Sequence, residues 1–468
     1  MLNPHPIIQE NETFLLTFGQ DLQANIFVSR RKTFVEMLFL HLEADSDRIA
    51  LSEVLANLAR NSETGKGIHL TSYQNQLDIK TAAQHQKSLF CNLYLSSDGF
   101  SKLLPKAPHW QPIVEHLAGN RADLDWDLPH WDPNYKGDKS IDAVLVLAHN
   151  TRDALPRMRR SFVQEIFPRV GVELLFVEEA RVYRNNLVGN NRERGLVVEH
   201  FGYADGASNP CVTEREFQRF SENGKSMNEW NPVSSWQEFV VEEPTSFEKP
   251  SYGSYLVLRK LRQHVEKFNS SMQELAAKLS VAKGTPVSVE EVGALAFGRR
   301  RNGTSIEKDS NYDNKTLNDF HYPEMSKCPF FAHARKMNPR EVESWPGLPR
   351  SYQHPNPIMR RGVTYGKRRL RYGGLDTSRA PDSEVGLLFL SFQKDIGRYQ
   401  QILQNSWSDD NLDPILGNLD DPNRAFIHQI PDLTEPHHGF GGFVDLKGGL
   451  NLFAPSLSFF KNLSIPVI

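Results

Sequence analysis

Three short stretches hold residue types that redox and proton-transfer chemistry uses. The first, Phe201-Gly202-Tyr203-Ala204-Asp205-Gly206, sets one carboxylate between two glycines directly after an apolar run. The glycines let the backbone turn tightly and approach a neighbour, so that Asp205 projects from the turn. A plain Asp-Gly turn would use the same letters. The second stretch is Cys328-Pro329-Phe330-Phe331-Ala332-His333-Ala334-Arg335-Lys336-Met337-Asn338-Pro339-Arg340. It places one imidazole, His333, against small and aromatic residues with a basic edge. Such an imidazole can bind iron, and Arg335, Lys336 or Arg340 could face the carboxylates of a large anionic cofactor. A satisfied core histidine reads the same way. The third stretch, Ile358-Met359-Arg360-Arg361-Gly362-Val363-Thr364-Tyr365-Gly366, lies 360 − 333 = 27 residues beyond the histidine. It suggests a guanidinium held at the start of a strand; a solvated basic pair is the plainer alternative.

The elements that must position these residues alternate along the chain. Short apolar runs predict strands at Phe34–Leu42, Phe90–Leu95, 143–148, 172–182 and Leu196–Val198. Helical spacing predicts helices over 50–59, 99–104 and 151–167. Residues 110–139 read as a polar surface excursion, with Trp126 and Trp131 partly tucked against it. No Gly-rich phosphate turn joins a strand to a helix, which argues against a dinucleotide fold. Residues 213–250 are polar, aperiodic and proline-bearing, and read as a connection. Beyond them come a strand at 253–258 and a helix carrying Leu261, Val265, Phe268, Met272, Leu275 and Leu279. A helix at 290–297, a strand at 385–392, a helix at 395–407 and a short strand at 451–454 follow. The second half repeats the grammar of the first, so the expected division is 1–212, a connection at 213–250, and 251–468.

The bulk composition narrows the function classes. With 468 residues the chain exceeds one ordinary core, which supports two domains. Its net charge of −3 gives no electrostatic case for nucleic acid or an anionic membrane. No apolar run approaches the roughly 20 residues of a membrane span. The opening Met1-Leu2-Asn3-Pro4-His5-Pro6 lacks the basic-then-apolar pattern of a signal peptide, so a cytoplasmic protein is expected. Three cysteines, Cys91, Cys211 and Cys328, form no Cys-x-x-Cys pair, which argues against a disulfide framework or a structural zinc cluster.

Taken together, the three stretches resemble the dye-decolourising peroxidase family. Gly202-x-x-Asp205-Gly206 matches the family's hallmark, His333 in His-x-Arg-Lys-x-Asn-Pro-Arg its proximal haem segment, and Arg360 its distal arginine. Leu22-Gln23, Gly386-Leu387-Leu388-Phe389, residues 393–407 and Phe453-Ala454-Pro455-Ser456 extend the likeness over nearly the whole chain, which is similar to the larger-chain branch. Asn209 stands where glutamine is more usual, and Thr364 where proline is common. The resemblance implies an α+β fold of two ferredoxin-like domains with antiparallel sheets and peripheral helices. It also implies one haem b per chain, with His333 as iron ligand and Asp205 reaching in from the first domain as the acid–base group. Arg360 would stabilise charge on the breaking O–O bond and help to hold the haem. Leu387 and Phe389 would form an apolar distal wall, and Asp395 is the candidate partner for the other nitrogen of His333. The implied substrates are hydrogen peroxide and bulky aromatic or dye-type reductants, oxidised via a ferryl intermediate. A walled pocket would exclude large dyes, so surface aromatics such as Trp345 or Tyr352 would relay electrons. The competing reading is a haem-binding or haem-handling protein with incidental peroxidation, which would need neither Asp205 nor Arg360. A non-haem metallohydrolase would need more than the pair His437-His438.

Overall fold

The structure, a computed structural model, describes residues 18–43, 47–64, 68–79, 82–105, 107–120, 130–185, 196–210, 212–213, 235–244, 250–307, 328–329, 332–337, 357–371, 374–399 and 442–463. Eight strands build its centre. The first half supplies β1 (Phe34–Leu42), β2 (Phe90–Leu95), β3 (Ala143–His149) and β4 (Val172–Arg181). The second supplies β5 (Tyr252–Gln263), β6 (Val363–Tyr365), β7 (Gly386–Gln393) and β8 (Val444–Ala454). Each set pairs antiparallel, in the orders β4-β1-β3-β2 and β8-β5-β7-β6. Numbered within its own half, each order is 4-1-3-2, the ferredoxin-like arrangement. The two sheets also meet edge to edge, at Phe453↔Leu95 between β8 and β2 and at Tyr365↔Ala180 between β6 and β4. The eight strands therefore close into a ring, which leaves none of them as an unpaired edge.

Closure explains why the strand runs are apolar on both faces. Side chains alternate across a strand, so Met37, Phe39, Val144, Val146, Leu256, Leu258, Leu388 and Leu390 fill the interior of the ring. On the outside of the first half, Leu38, Leu40, Leu93 and Leu145 pack under helices α1 (Arg48–Thr64), α2 (Ser97–Leu103) and α3 (Gln111–Gly119). On the second half, α4 (Val265–Lys283) and α5 (Val289–Phe297) bury Phe268, Met272, Leu275 and Val292 with Phe201 and Tyr203. The segment that carries Asp205 thus packs on helices of the second half.

Several expectations shift. Leu261 extends β5 and pairs with Leu387; it does not open the helix, which begins at Val265. The last strand is 11 residues long, β8, with a register shift between Leu446 and Gly448. The expected excursion contains the helix α3, and Trp110 and Trp131 are both buried; Trp126 lies outside the described residues. Leu196–Val198 stays off the main sheet and pairs with Tyr183–Asn185. Most of the helix expected at 395–407 also lies outside the described residues.

Two buried polar side chains, Gln23 and Lys260, brace the ring. The side-chain amide of Gln23 donates to the carbonyls of Leu93 and Pro455, each at 2.8 Å, and accepts from Leu93 N at 2.9 Å. Within the ring, the Lys260 ammonium sits 2.7 Å from both Asp132 and Glu178, with the Tyr365 ring 5.1 Å away. A buried cation is tolerable there because two carboxylates reach it.

Glu243 gives the fold a pH dependence. Its carboxylate accepts from the backbone N and Oγ of Ser456, at 2.6 and 2.7 Å, at the start of α7 (Leu457–Asn462). Burial pushes its carboxyl up to about 8, and Asp21 adds to the effect. A raised carboxyl favours the protonated fold, so its contribution is complete below the ordinary value of 4.5 and is lost as the pH rises through about 8. Urea unfolding at pH 5 and pH 8 is expected to show a loss of stability in the wild type that Glu243→Gln largely removes; equal losses in both proteins would contradict this.

Candidate active site

Asp205 sits in a turn that needs its glycines. Gly202 and Gly206 have φ of +92° and +77°, where a side chain is strained. A Cβ on Gly202 would also lie 2.4 Å from Arg301 Nη1. Asp205 N donates to Val197 O at 2.9 Å, which returns the chain alongside its preceding strand. Arg301 braces the outside of the turn, donating from Nη1 to Phe201 O at 2.8 Å and from Nε to Glu290 Oε2 at 2.8 Å.

Arg360 comes from the two-residue strand Met359–Arg360, which pairs with β7 through Arg360↔Ser391. Asn209 clamps its backbone from both sides: Arg360 N donates to Asn209 Oδ1 at 3.1 Å, and Asn209 Nδ2 donates to Arg360 O at 3.0 Å. The residue that departs from the family pattern thus couples the two motifs directly. Arg360 Nη1 lies 3.9 Å from Asp205 Oδ1, with the side chains 32% and 25% exposed. The separation is within ion-pair reach but beyond a hydrogen bond, so both groups can still engage a small polar molecule between them. Arg361 is committed elsewhere, donating to Asn25 O at 2.9 Å and to Arg360 O at 3.2 Å.

His333 opens the helix α6 (His333–Met337). Its ring stands edge-on to Phe297, with centroids 5.9 Å apart, and Phe297 stacks on Tyr203 at 3.9 Å. This aromatic stack joins the histidine to the turn of Asp205. Gly298 makes the approach possible: a Cβ there would lie 3.2 Å from Cys328 Sγ and 3.3 Å from the Cβ atoms of Ala332 and Ala334. Arg335 is buried and donates to Cys328 O at 3.1 Å, so it ties the helix to the chain that leads into it. Arg340, Trp345 and Tyr352 lie outside the described residues, as does the side chain of Lys336.

Leu387 and Phe389 share a face of β7 with Ser391, the residue opposite Arg360, while Leu388, Leu390 and Phe392 point into the ring. The two wall candidates therefore stand on the side from which Arg360 projects. Phe389 also packs 5.6 Å from Tyr399, against the core outside the ring, so it has a packing role as well. Asp395 does not serve as the partner of His333. It is 53% exposed, pairs with His116 Nε2 of α3 at 3.2 Å and accepts from Gly397 N at 2.8 Å. It links the two halves of the chain instead.

Sequence reading singled out neither Phe297 nor Arg301. The available signal was Gly298, a glycine closing the α5 helix just before Arg299-Arg300-Arg301.

Comparison with known proteins bears on the family and the fold. The family model for the C-terminal part of Dyp-type peroxidases matches residues 197–421, a span that contains all three motifs. A multifunctional dye peroxidase of Amycolatopsis sp. is 26% identical over 96% of this chain and 96% of its own. Peroxidase 2 of Mycetinis scorodonius is 27% identical over 98% of this chain and 90% of its own. The crystal structure of a DyP-type peroxidase from Anabaena sp. superposes with a TM-score of 0.79 at 26% identity, covering 97% of this chain and 96% of that one.

Proposed function

This chain belongs to the dye-decolourising peroxidase family, and from that premise we propose that it is a haem b peroxidase acting through His333, Asp205 and Arg360. The residues present fit the group. The donor set is chemically suited to it: His333 offers an imidazole, Phe297 supplies an aromatic wall beside it, and the Asp205 carboxylate faces the Arg360 guanidinium from a turn joined to that wall through Tyr203. His333 would offer a neutral imidazole nitrogen to the iron, with Leu387 and Phe389 limiting access from the side of Arg360. When bound, the haem supplies the redox centre for peroxide cleavage and electron storage.

The remaining work falls to this chain's own side chains. A carboxylate oxygen of Asp205 takes the proton from one peroxide oxygen and returns it to the departing one. The Arg360 guanidinium stabilises the negative charge that develops on the departing oxygen. Asn209 holds the backbone of Arg360, so the cation is in place before peroxide arrives. The observation that carries this reading is the 3.9 Å separation of Arg360 and Asp205, on a turn joined to His333 through Tyr203 and Phe297. Cys91 and Cys328 are both buried. Among the described residues, no helix is long and apolar enough to cross a membrane.

Peroxide-dependent turnover of an anionic dye tests the proposal. The rate is expected to peak below pH 7 with peroxide saturating. A carboxylate remains a base where an imidazole is already protonated, and a protein of pI 6.6 turns positive toward the dye as the pH falls. An optimum at or above pH 7, following a group that titrates near 6.5, would instead assign the acid–base role to a histidine.

A further inference from the structure

Glu199 takes no part in the chemistry above, yet the turn that bears Asp205 is built on it. Its carboxylate accepts three hydrogen bonds, from Phe201 N at 2.8 Å, Tyr203 N at 2.8 Å and Gln263 Nε2 at 2.5 Å. Gly202 N donates to its carbonyl at 2.9 Å, and its own N donates to Tyr203 O at 3.1 Å. Every amide hydrogen from residue 201 to residue 203 therefore ends on Glu199. Two residues later the chain reaches Asp205, whose carboxylate faces Arg360. From outside, Arg301 holds Phe201 O and receives Ala204 N at 3.0 Å, so the turn is gripped by an anion on its amide side and a cation on its carbonyl side.

We propose that Glu199 is a positioning residue for proton transfer, its carboxylate setting the turn that aims Asp205 at Arg360. The inference rests on the reading that Asp205 moves the proton. All three groups that reach the carboxylate are donors, so the geometry calls for an ionised acceptor with no hydrogen of its own. Burial pushes the Glu199 carboxyl above its usual value, and the amides of Phe201 and Tyr203, with Gln263, pull it back. A glutamine at this position has the same shape but turns an NH2 toward one of those donors. Gln263→Glu offers that NH2 a new acceptor.

The test combines rates with amide exchange. Stopped-flow mixing of haem-loaded protein with peroxide is run on the wild type, Glu199→Gln, Asp205→Asn and the double variant. Glu199→Gln is expected to slow the reaction about 10- to 100-fold, the scale of a small misplacement of a reacting group. In the Asp205→Asn background it should add less than about twofold, because coupled residues are non-additive. Hydrogen exchange at residues 199–205 should quicken in Glu199→Gln while the sheet amides stay as in the wild type, and adding Gln263→Glu should restore part of both readouts. A wild-type rate in Glu199→Gln, a multiplicative loss in the double variant or unchanged exchange at 199–205 would each overturn the proposal. A wild-type rate in Asp205→Asn alone would remove the reading of Asp205 and this proposal with it.

Discussion

Replacing His333 with alanine is expected to leave a folded protein that holds little haem. The histidine opens a five-residue helix outside the central ring, and its described ring contact is the edge of Phe297. The residue is only partly buried, so its replacement is expected to leave the central ring folded. The iron, by contrast, would lose the ligand that fixes it to the chain. Losing a group that merely orients a metal ligand costs about 10–100-fold in metal affinity, and losing the ligand itself should exceed that. The ratio of Soret to protein absorbance reads haem content, and far-UV circular dichroism verifies the fold. Full haem content with an unaltered iron spectrum would show that another residue binds the iron.

Replacing Asp205 or Arg360 should slow the reaction with peroxide while His333 would still hold the haem. Asp205→Asn removes the proton carrier but keeps the shape of the turn, and general acid–base groups contribute about 10²–10⁴-fold. Arg360→Leu removes the cation while the bonds from Asn209 to the backbone persist; one such electrostatic donor is worth about 10²–10³-fold. Arg361 cannot take over, because its guanidinium is bonded to the carbonyls of Asn25 and Arg360. Stopped-flow mixing measures both variants. Wild-type rates in both would exclude the proposed division of labour.

The strands could be read because their runs are mostly apolar: β2 and β3 are buried at every residue, facing the ring interior on one side and helices on the other. The repeated grammar of the two halves was also visible. What the chain order conceals is which element stands beside which. Leu261 falls in step with the apolar face of α4, so spacing alone assigned it to the helix, whereas the ladder to Leu387 keeps it in β5. Asp395, the candidate partner for His333, has its neighbour, His116, 395 − 116 = 279 residues upstream. Nothing in the sequence singled out Lys260, because only closure of the ring brings Asp132 and Glu178 to it. The motifs around Asp205 and Arg360 were legible because glycines mark turns that no other residue makes easily. The clamp from Asn209 was not, since it depends on the meeting of two segments 360 − 209 = 151 residues apart.

The central claim is that this chain binds haem in a site built to react with peroxide. The absorption spectrum of the purified protein, recorded before and after about one equivalent of hydrogen peroxide, tests it most directly. The account predicts a Soret band that travels with the protein, shifts within the mixing time and returns when a reducing dye is added. A chain without a Soret band, or one whose band ignores peroxide as a haem carrier's would, contradicts it.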